Sequence, residues 1–328
     1  MNCSQTLISA IAIVMTALSG PAFTQGAAAG FPVKPVVIVS PAAPGGSIDT
    51  ESRLYAPVMS KLMGQPFVID YKPGAGSTIG TGYVVKSPPD GYTLLGVTTS
   101  FTVVPAFHKD LPFSIVKDLA PVSLMANRTS VLMAGTLFPP KSFPEYISYA
   151  KANPGKVNYG TSGAGQISHL AGAWLHSLTR TSVTFIPFKG TGPALQELMG
   201  GRLDVTSGII GTALPLLQSG KARMLAVLGN QRTKQYPDIA TVAEMGATGY
   251  DYSSWMGFVA PGATPVAIID KLSEGFAKTV RTPEISAALE RDGAVAVGST
   301  PAQFKQLIAA EVARWQKVVD ESGIKLAE

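Results

Sequence analysis

The sequence predicts an α/β fold of two similar lobes, each a mostly parallel sheet flanked by helices, with two crossings between them. Short β-branched runs alternate with helical patterns of apolar residues along the chain. The order of strand, glycine-rich turn and helix recurs about 120 residues later. Two long apolar stretches fit the crossings. Such lobes enclose a cleft, and open α/β sheets bind ligands at the carboxyl ends of their strands.

The first lobe is predicted to comprise residues 30–127 and 251–328. Its strands are predicted at 36–40, 67–71 and 93–98. Its early helices are predicted from Ile48 to just before Gly64, and over 78–86. Helices are also predicted near the end of the chain, at 265–279, 283–292 and 301–322. The last of these carries a stripe of apolar residues that we expect to pack onto the first lobe.

The second lobe is predicted over residues 128–250 and repeats the same pattern. Its strands are predicted at 157–160, 184–187, 204–207 and 224–229. Its helices are predicted at 167–178 and 193–199. The crossings between the lobes are predicted at 122–135 and 254–261.

The first 29 residues are predicted to be a cleaved signal peptide. Residues 7–18 form an uncharged apolar run that is too short to span a bilayer, and small residues follow, ending in Ala27-Ala28-Ala29. The segment before this run lacks Lys and Arg, which leaves a buried N-terminal helix as the alternative. Cleavage would remove Cys3, the single cysteine, and would place the mature chain in an oxidising compartment such as the periplasm.

Composition excludes several classes of protein. The formal net charge is +5, which favours an anionic partner, but the basic residues are scattered and do not predict nucleic-acid binding. One cysteine rules out a disulfide framework and a zinc ribbon. His169 and His176 are seven residues apart without further ligands nearby, so no metal is expected. No nucleotide-binding glycine motif and no nucleophile elbow is present, so neither a cofactor nor catalysis is expected.

Two glycine-rich loops are the main candidate binding elements. Each follows a strand and precedes a helix, so backbone N–H groups and the positive end of the helix dipole can meet an oxyanion there. Asp49 is placed to cap the first helix, and hydroxyl groups are supplied by Ser47, Thr161 and Ser162. The alternative is that both loops are ordinary strand-to-helix turns, which require glycine in any case.

Several single residues near these loops have two interpretations each. Lys189 is either a cation near the ligand or a solvated lysine. Thr98, Thr99 and Ser100 end a strand and offer hydroxyl donors, while Phe101 is either an apolar wall or a core residue. Trp255, on the second crossing, is interpreted as a packing residue of the hinge.

The chain resembles a known family across nearly all of the predicted mature region. It is similar to the extracytoplasmic solute receptors of the tripartite tricarboxylate transporters, the Bug-type periplasmic binding proteins. The segments that carry the resemblance are 44–49 (PGGSID), 73–76 (PGAG), 89–95 (PDGYTLL), 117–124 (KDLAPVSL), 153–160 (NPGKVNYG), 169–172 (HLAG), 187–190 (PFKG), 200–205 (GGRLDV) and 237–244 (PDIATVAE).

The resemblance implies a periplasmic binding protein of the Venus flytrap type that is not an enzyme. It further implies a small organic carboxylate as ligand, two integral-membrane partners and a monomeric receptor. Backbone amides of two strand-to-helix loops would hold the carboxylate, and a third loop would contribute from the second lobe. Together with the residues discussed above, the expected ligand-binding set is Pro44, Gly45, Gly46, Ser47, Asp49, Thr98, Ser100, Phe101, Thr161, Ser162, Gly163, Ala164, Gly165, Gln166, His169, Lys189, Gly190, Thr191 and Ile209.

The sequence departs from the family pattern where the far end of a ligand would lie. Gln166 stands where Ser is usual, Ala173 where Glu is common, and Gly208-Ile209-Ile210 replaces a usual Phe-Asp. Gln166 offers a hydrogen bond to a distal polar group, while the two isoleucines make that end more apolar. These departures favour a dicarboxylate or an aromatic carboxylate, including a dicarboxylate of the terephthalate kind.

Two other functions remain open from sequence alone. An exported α/β hydrolase would use Ser47 or Ser162 as nucleophile, with His169 as the nearby candidate base. A ligand sensor for a membrane signalling partner would share the same cleft, and nothing in the sequence separates it from a transport receptor.

Overall fold

The computed structural model describes residues 30–45, 47–108, 110–188 and 190–322. The predicted signal peptide, Gly46 and Lys189 lie outside these residues. Within the described part, the strands are β1 (Val36–Ser40), β2 (Phe67–Tyr71), β3 (Thr93–Thr98), β4 (Leu119–Gly135), β5 (Asn158–Thr161), β6 (Thr184–Pro187), β7 (Val205–Ile209), β8 (Ala222–Val227), β9 (Ser253–Pro261) and β10 (Ala294–Ala296). The helices are α1 (Ser47–Met63), α2 (Thr78–Val85), α3 (Ser100–Phe107), α4 (Phe143–Ala152), α5 (Ile167–Thr179), α6 (Thr191–Met199), α7 (Ile210–Gln218), α8 (Val266–Val280), α9 (Pro283–Arg291) and α10 (Pro301–Ser322).

The strands form a sheet in the order β2-β1-β3-β9-β4-β7-β5-β6, with β8 and β10 also paired to β4. Strand β4 belongs to both halves, because it pairs with β9 as far as Thr129 and with β7 from Ser130 onwards. The first half contains the parallel set β2-β1-β3, and the second contains β7-β5-β6. Strands β9 and β4 join these sets through antiparallel pairs. The sheet is therefore mixed, and the expectation of mostly parallel pairing holds for the outer strands of each half.

Helices cover both faces of each half of the sheet, as buried parallel strands require. In the first half, α1 and α8 pack on one face around Tyr55, Met59 and Phe276, while α10 covers the other with Phe304. In the second half, α4 and α5 pack on one face and α6 and α7 on the other. The fold is thus the predicted α/β arrangement in two lobes.

Helices α1 and α5 carry the candidate loops, and local sequence explains their positions. Ile48, Tyr55 and Met59 recur on the buried face of α1, and Gly64 ends this helix with a positive φ of 73°. Helix α5 lies close to β5 and β6 because it has Gly172 at the contact. A Cβ atom there would lie 2.8 Å from the Phe185 ring and 3.1 Å from the Tyr159 ring.

Helix α10 bridges the two halves, which corrects the expectation that its stripe packs onto the first lobe alone. Phe304 packs on Trp255 of β9, with ring centroids 5.3 Å apart. Trp315 instead packs in the core of the second half, where its ring lies 5.9 Å from that of Trp174 on α5. A helix of 22 residues is about 33 Å long, which suffices to reach both cores.

No helix in the described part of the chain is both long and apolar enough to cross a membrane.

Candidate functional site

Two adjoining cavities lie between the halves of the molecule. The inner cavity has a volume of about 540 Å³ and the outer cavity about 740 Å³. Ser47, Thr98 and Ile167 line both. The inner cavity is rich in hydroxyl groups, which come from Ser47, Thr50, Thr98, Ser162, Ser168, Thr191, Ser207, Thr212, Tyr252 and Ser254. The outer cavity has a larger apolar wall, formed by Ile48, Val103, Val104, Phe107, Leu111 and Ile167.

The first turns of four helices line the inner cavity. Helix α1 contributes Ser47, α5 contributes Ile167 and Ser168, α6 contributes Thr191, and α7 contributes Gly211 and Thr212. First-turn N–H groups have no acceptor within their own helix, and each helix start carries about half a positive charge. Their convergence makes the inner cavity a favourable environment for an anion.

The first loop is fixed by Asp49, which lies within the first turn of α1. Its carboxylate accepts the Gly45 N–H at 2.8 Å, the Tyr71 hydroxyl at 2.6 Å and Arg53 Nε at 2.8 Å. The Tyr71 hydroxyl and the Gly45 N–H hold the pKa of Asp49 below its usual 3.8, although burial opposes them. Asp49 is therefore ionised at neutral pH and holds Gly45 at its positive φ of 84°.

The second loop is fixed in a parallel way by the first turn of α5. His169 Nδ1 accepts the Gly165 N–H at 3.1 Å, and Ser168 Oγ accepts the Ser162 N–H at 2.8 Å. The ring of His169 lies 4.7 Å from that of Phe185. Burial lowers the pKa of His169 from its usual 6.5, so the ring is neutral and Nδ1 is free to accept.

These bonds change one expectation about the loops. The N–H groups of Gly45, Ser162 and Gly165 were expected to face a ligand, but they donate to Asp49, Ser168 and His169. A half-buried loop must satisfy its own polar groups, and side chains one turn into the helix do so here. From the loops and helix starts, the groups that remain at the cavity wall are the hydroxyls and the first-turn amides.

Of the seventeen expected site residues that the structure describes, eight line one or both cavities. Ser47, Thr98, Ser162, Thr191 and Ile209 line the inner cavity, while Ser47, Thr98, Ser100, Gly165 and Gln166 line the outer one. Of the rest, Phe101 packs in the core beside β3, and the loop positions that line neither cavity are Pro44, Gly45, Asp49, Thr161, Gly163, Ala164, His169 and Gly190. The Gly190 N–H donates to Ser162 O at 3.0 Å and so ties the third loop to the second.

Among the residues of the inner cavity that were not expected there are an ion pair and a tryptophan. Arg128 of β4 donates through Nη1 to Oε1 of Glu51 on α1, and both line the cavity. Trp255, expected to be a packing residue of the hinge, contacts Phe304 and also forms part of the cavity wall. Arg128 has a signal in the sequence, since it is the single charged residue of the apolar stretch 122–135.

The two histidines of α5 are not arranged to bind a metal ion. His176 is buried, with Nε2 3.0 Å from the Tyr146 hydroxyl and Nδ1 2.6 Å from Thr181 Oγ1. Across the described residues, no cluster of three or more His, Cys, Asp or Glu side chains is placed to hold a metal ion.

Comparison with known proteins agrees with this geometry. The family model described as "Tripartite tricarboxylate transporter family receptor" matches residues 52–324. The chain is 33% identical over 298 residues to the protein BugT of Bordetella pertussis, and this match covers 90% of the chain and 91% of BugT.

Solved structures show the same fold. MatC of Rhodopseudomonas palustris with bound malate is 33% identical, with a TM-score of 0.74 over 88% of this chain and 100% of MatC. An R. palustris protein with adipate is 32% identical, with a TM-score of 0.77 over 90% of this chain and 100% of that one. The matched family consists of receptors and not of enzymes, which sets the hydrolase alternative aside. The chain therefore belongs to the receptor family of the tripartite tricarboxylate transporters.

Proposed function

We propose that this protein is a periplasmic receptor that binds a small organic dicarboxylate or aromatic carboxylate in the inner cavity. The observation that carries the proposal is the convergence of four helix N-termini on that cavity. An anion placed there meets four partial positive charges and several hydroxyl donors at once. Solvent exclusion between the lobes strengthens each of these interactions.

Two further observations support a carboxylate as the ligand. Two related solved structures hold malate and adipate, which are both dicarboxylates. The formal charge of +5 favours encounter with anions, with a smaller effect at physiological salt. Aromatic dicarboxylates such as terephthalate belong to the proposed range because Ile167, Ile209 and Trp255 give the inner cavity an apolar wall.

The proposed cellular role is delivery of the bound ligand to the membrane subunits of a tripartite transporter. It includes export and removal of residues 1–29 after Ala29. Purification of the chain from the periplasm followed by N-terminal sequencing tests this part. A mature chain that begins at Gly30 supports it, and a retained Met1 contradicts it.

A thermal-shift screen tests the ligand class. The mature protein is heated with C4–C6 di- and tricarboxylates, acidic amino acids, nicotinate, benzoate and the phthalate isomers. A ligand at a hundred times its Kd adds about 2.7 kcal/mol to the free energy of unfolding, which raises the Tm by several degrees. We expect one carboxylate class to stand out and its methyl esters to have no effect.

A flat response across the panel contradicts the proposal, provided that the protein is folded and free of carried-over ligand. Mass spectrometry of the denatured protein checks for such a ligand. A rise in Tm with the methyl esters as large as with the free acids would also contradict it, because the esters lack the charge that the helix N-termini are proposed to bind.

A further inference from the structure

Arg128 and Glu51 form a buried ion pair in the wall of the inner cavity. The side chain of Arg128 is 11% exposed and that of Glu51 is 2% exposed. Glu51 Oε1 accepts from Arg128 Nη1, and Oε2 accepts from the Tyr55 hydroxyl at 3.1 Å. Both carboxylate oxygens are therefore engaged, whereas a guanidinium has five N–H donors to distribute.

This pair is costly for stability alone. Replacing a buried ion pair with apolar side chains is often neutral or stabilising, because removing two charges from water is expensive. Burial raises the pKa of Glu51, and the Asp292 charge acts in the same direction, while Arg128 and Tyr55 oppose them. A pair maintained at such a cost, on the wall of a ligand cavity, suggests a role in binding.

Glu51 lies about one helical turn beyond the start of α1, a spacing comparable to the length of a dicarboxylate. Ser47 begins α1 and Glu51 lies four residues further on, so the two are about 6 Å apart along the helix axis. The two carboxyl carbons of adipate or terephthalate are also separated by about 6 Å at ordinary bond lengths. Ser47 and Arg128 line the same cavity, so a ligand with one carboxylate at the helix N-termini can extend its second towards Arg128.

The charged residues of the inner cavity favour a second carboxylate on the ligand and disfavour a third. Among the described residues that line the inner cavity, Arg128 is the one basic side chain, while Glu51 and Asp292 are acidic. A second ligand carboxylate can pair with Arg128. A third would find no further cation among these residues and would be repelled by the two acids.

We propose that Arg128 binds the second carboxylate of the ligand and makes the receptor selective for dicarboxylates over their monoacid counterparts. Glu51 is a positioning residue, which holds the guanidinium at the cavity wall and keeps the empty site close to neutral. The inference rests on the proposed function, because it assigns the far end of a ligand whose first carboxylate lies at the helix N-termini.

Calorimetric titration with matched probes tests the role of Arg128. The probes are adipate against adipamate and terephthalate against 4-carbamoylbenzoate, in which an amide replaces one carboxylate at nearly the same size. In the wild type we expect the diacid of at least one pair to bind about tenfold tighter or more than its monoamide, because a charge-assisted hydrogen bond is stronger than a neutral one.

The informative variant carries R128Q and E51Q together. It removes both charges and avoids the unpaired buried Glu51 that R128Q alone would leave. We expect it to fold with a Tm near that of the wild type, to bind the monoamide within about threefold of the wild-type Kd, and to lose the preference for the diacid. The single change E51Q keeps an amide oxygen that can accept from Arg128 and leaves the Arg128 charge uncompensated, so it should increase the preference for the diacid.

A matched control uses the exposed pair of Arg202 and Glu197, in which Arg202 Nε donates to Glu197. The double variant R202Q/E197Q removes the same two kinds of charge from residues that line neither cavity and should keep the wild-type preference. Equal binding of diacid and monoamide by the wild type, or a preference that survives in R128Q/E51Q, overturns the role of Arg128 and leaves the proposed function standing. Failure of every carboxylate in the wild type overturns both.

Discussion

The two glycine-rich loops of the cleft are held by hydrogen bonds of the same pattern, with a carboxylate as the acceptor in one loop and an imidazole in the other. In each loop a glycine donates its N–H to a side chain four residues later, within the first turn of the following helix: Gly45 to Asp49, and Gly165 to His169. Asp49 must be ionised to do this well, whereas His169 must be neutral. The comparison shows that the two lobes share a hydrogen-bonded loop geometry but require different protonation states of the acceptor side chain.

The first loop should be the more sensitive to substitution. Asp49→Ala removes the acceptor of three hydrogen bonds, from Gly45, Arg53 and Tyr71, and leaves the Gly45 N–H unsatisfied. We expect carboxylate affinity to fall by about tenfold or more, since the start of α1 is no longer held in place. Calorimetry measures the Kd, and a variant that keeps the wild-type affinity would show that Asp49 does not position the loop.

The second loop should respond less and should be rescued by an isostere. His169→Ala removes one hydrogen bond to Gly165 and the contact with Phe185, so we expect a loss of affinity of about three- to tenfold. His169→Asn keeps an acceptor near the position of Nδ1 and should recover most of the affinity. Equal losses in the two variants would mean that the ring contact, and not the hydrogen bond, holds the loop.

Acidification should weaken the second loop before the first. The pKa of His169 is below its ordinary 6.5, so its acceptor is present above pH 6.5 and is lost as the pH falls through the lower folded pKa. Asp49 has a pKa below 3.8 and keeps its charge over that range. We expect carboxylate affinity to decrease more steeply in the wild type than in His169→Asn as the pH falls below 6.5.

His176 lies two turns further along α5 and should make the free energy of unfolding, and not the ligand affinity, depend on pH. Burial lowers its pKa to about 3, while the unfolded chain retains a value near 6.5. Below pH 6.5 the unfolded state therefore binds more protons, and the free energy of unfolding falls by up to about 1.4 kcal/mol per pH unit. Burial raises the pKa of Glu311 to about 7, which has the opposite effect on stability over this range, so the His176 contribution is measured as a difference. Urea unfolding of the wild type and of His176→Gln at several pH values gives this difference, and equal pH dependence in the two proteins would contradict the buried, neutral state of His176.

Much of the framework follows from local pattern. Strands β1, β2, β3 and β6 and helix α10 have the bounds that the sequence predicts. For β1, β2 and β6 a proline at or just after the end of a β-branched run leaves little freedom in where the strand stops. The helices α3, α4 and α7 and the strand β10 were not predicted. Helices α3 and α7 each contain a proline, which obscures the helical pattern. Helix α4 was detectable, since Ser followed three residues later by Glu is the sequence signature of a helix start, and Ser142 caps this helix by accepting the Glu145 N–H.

Only those parts of the candidate site that are formed by residues close together in the sequence could be predicted. The loops and hydroxyls follow from glycine next to a strand end, but the pairing of Arg128 with Glu51 joins residues 77 positions apart on β4 and α1. No periodic pattern of residues in the sequence predicts a contact between side chains so far apart in the chain. Likewise, the partners of the loop amides depend on which rotamers the folded loops select, so the expectation that these amides face the ligand was reasonable from sequence and differs from the structure.

The most direct test of the account asks which of the two cavities binds the carboxylate. Ile209 lines the inner cavity and Val104 the outer one, and both are half-buried. Calorimetric titration of Ile209→Trp and Val104→Trp, with the acid selected by the screen, compares the two cavities with the same change. We predict a loss of affinity of about a hundredfold or more for Ile209→Trp, equivalent to roughly 2.7 kcal/mol, and less than about threefold for Val104→Trp. The reverse order would contradict the assignment of the ligand to the inner cavity.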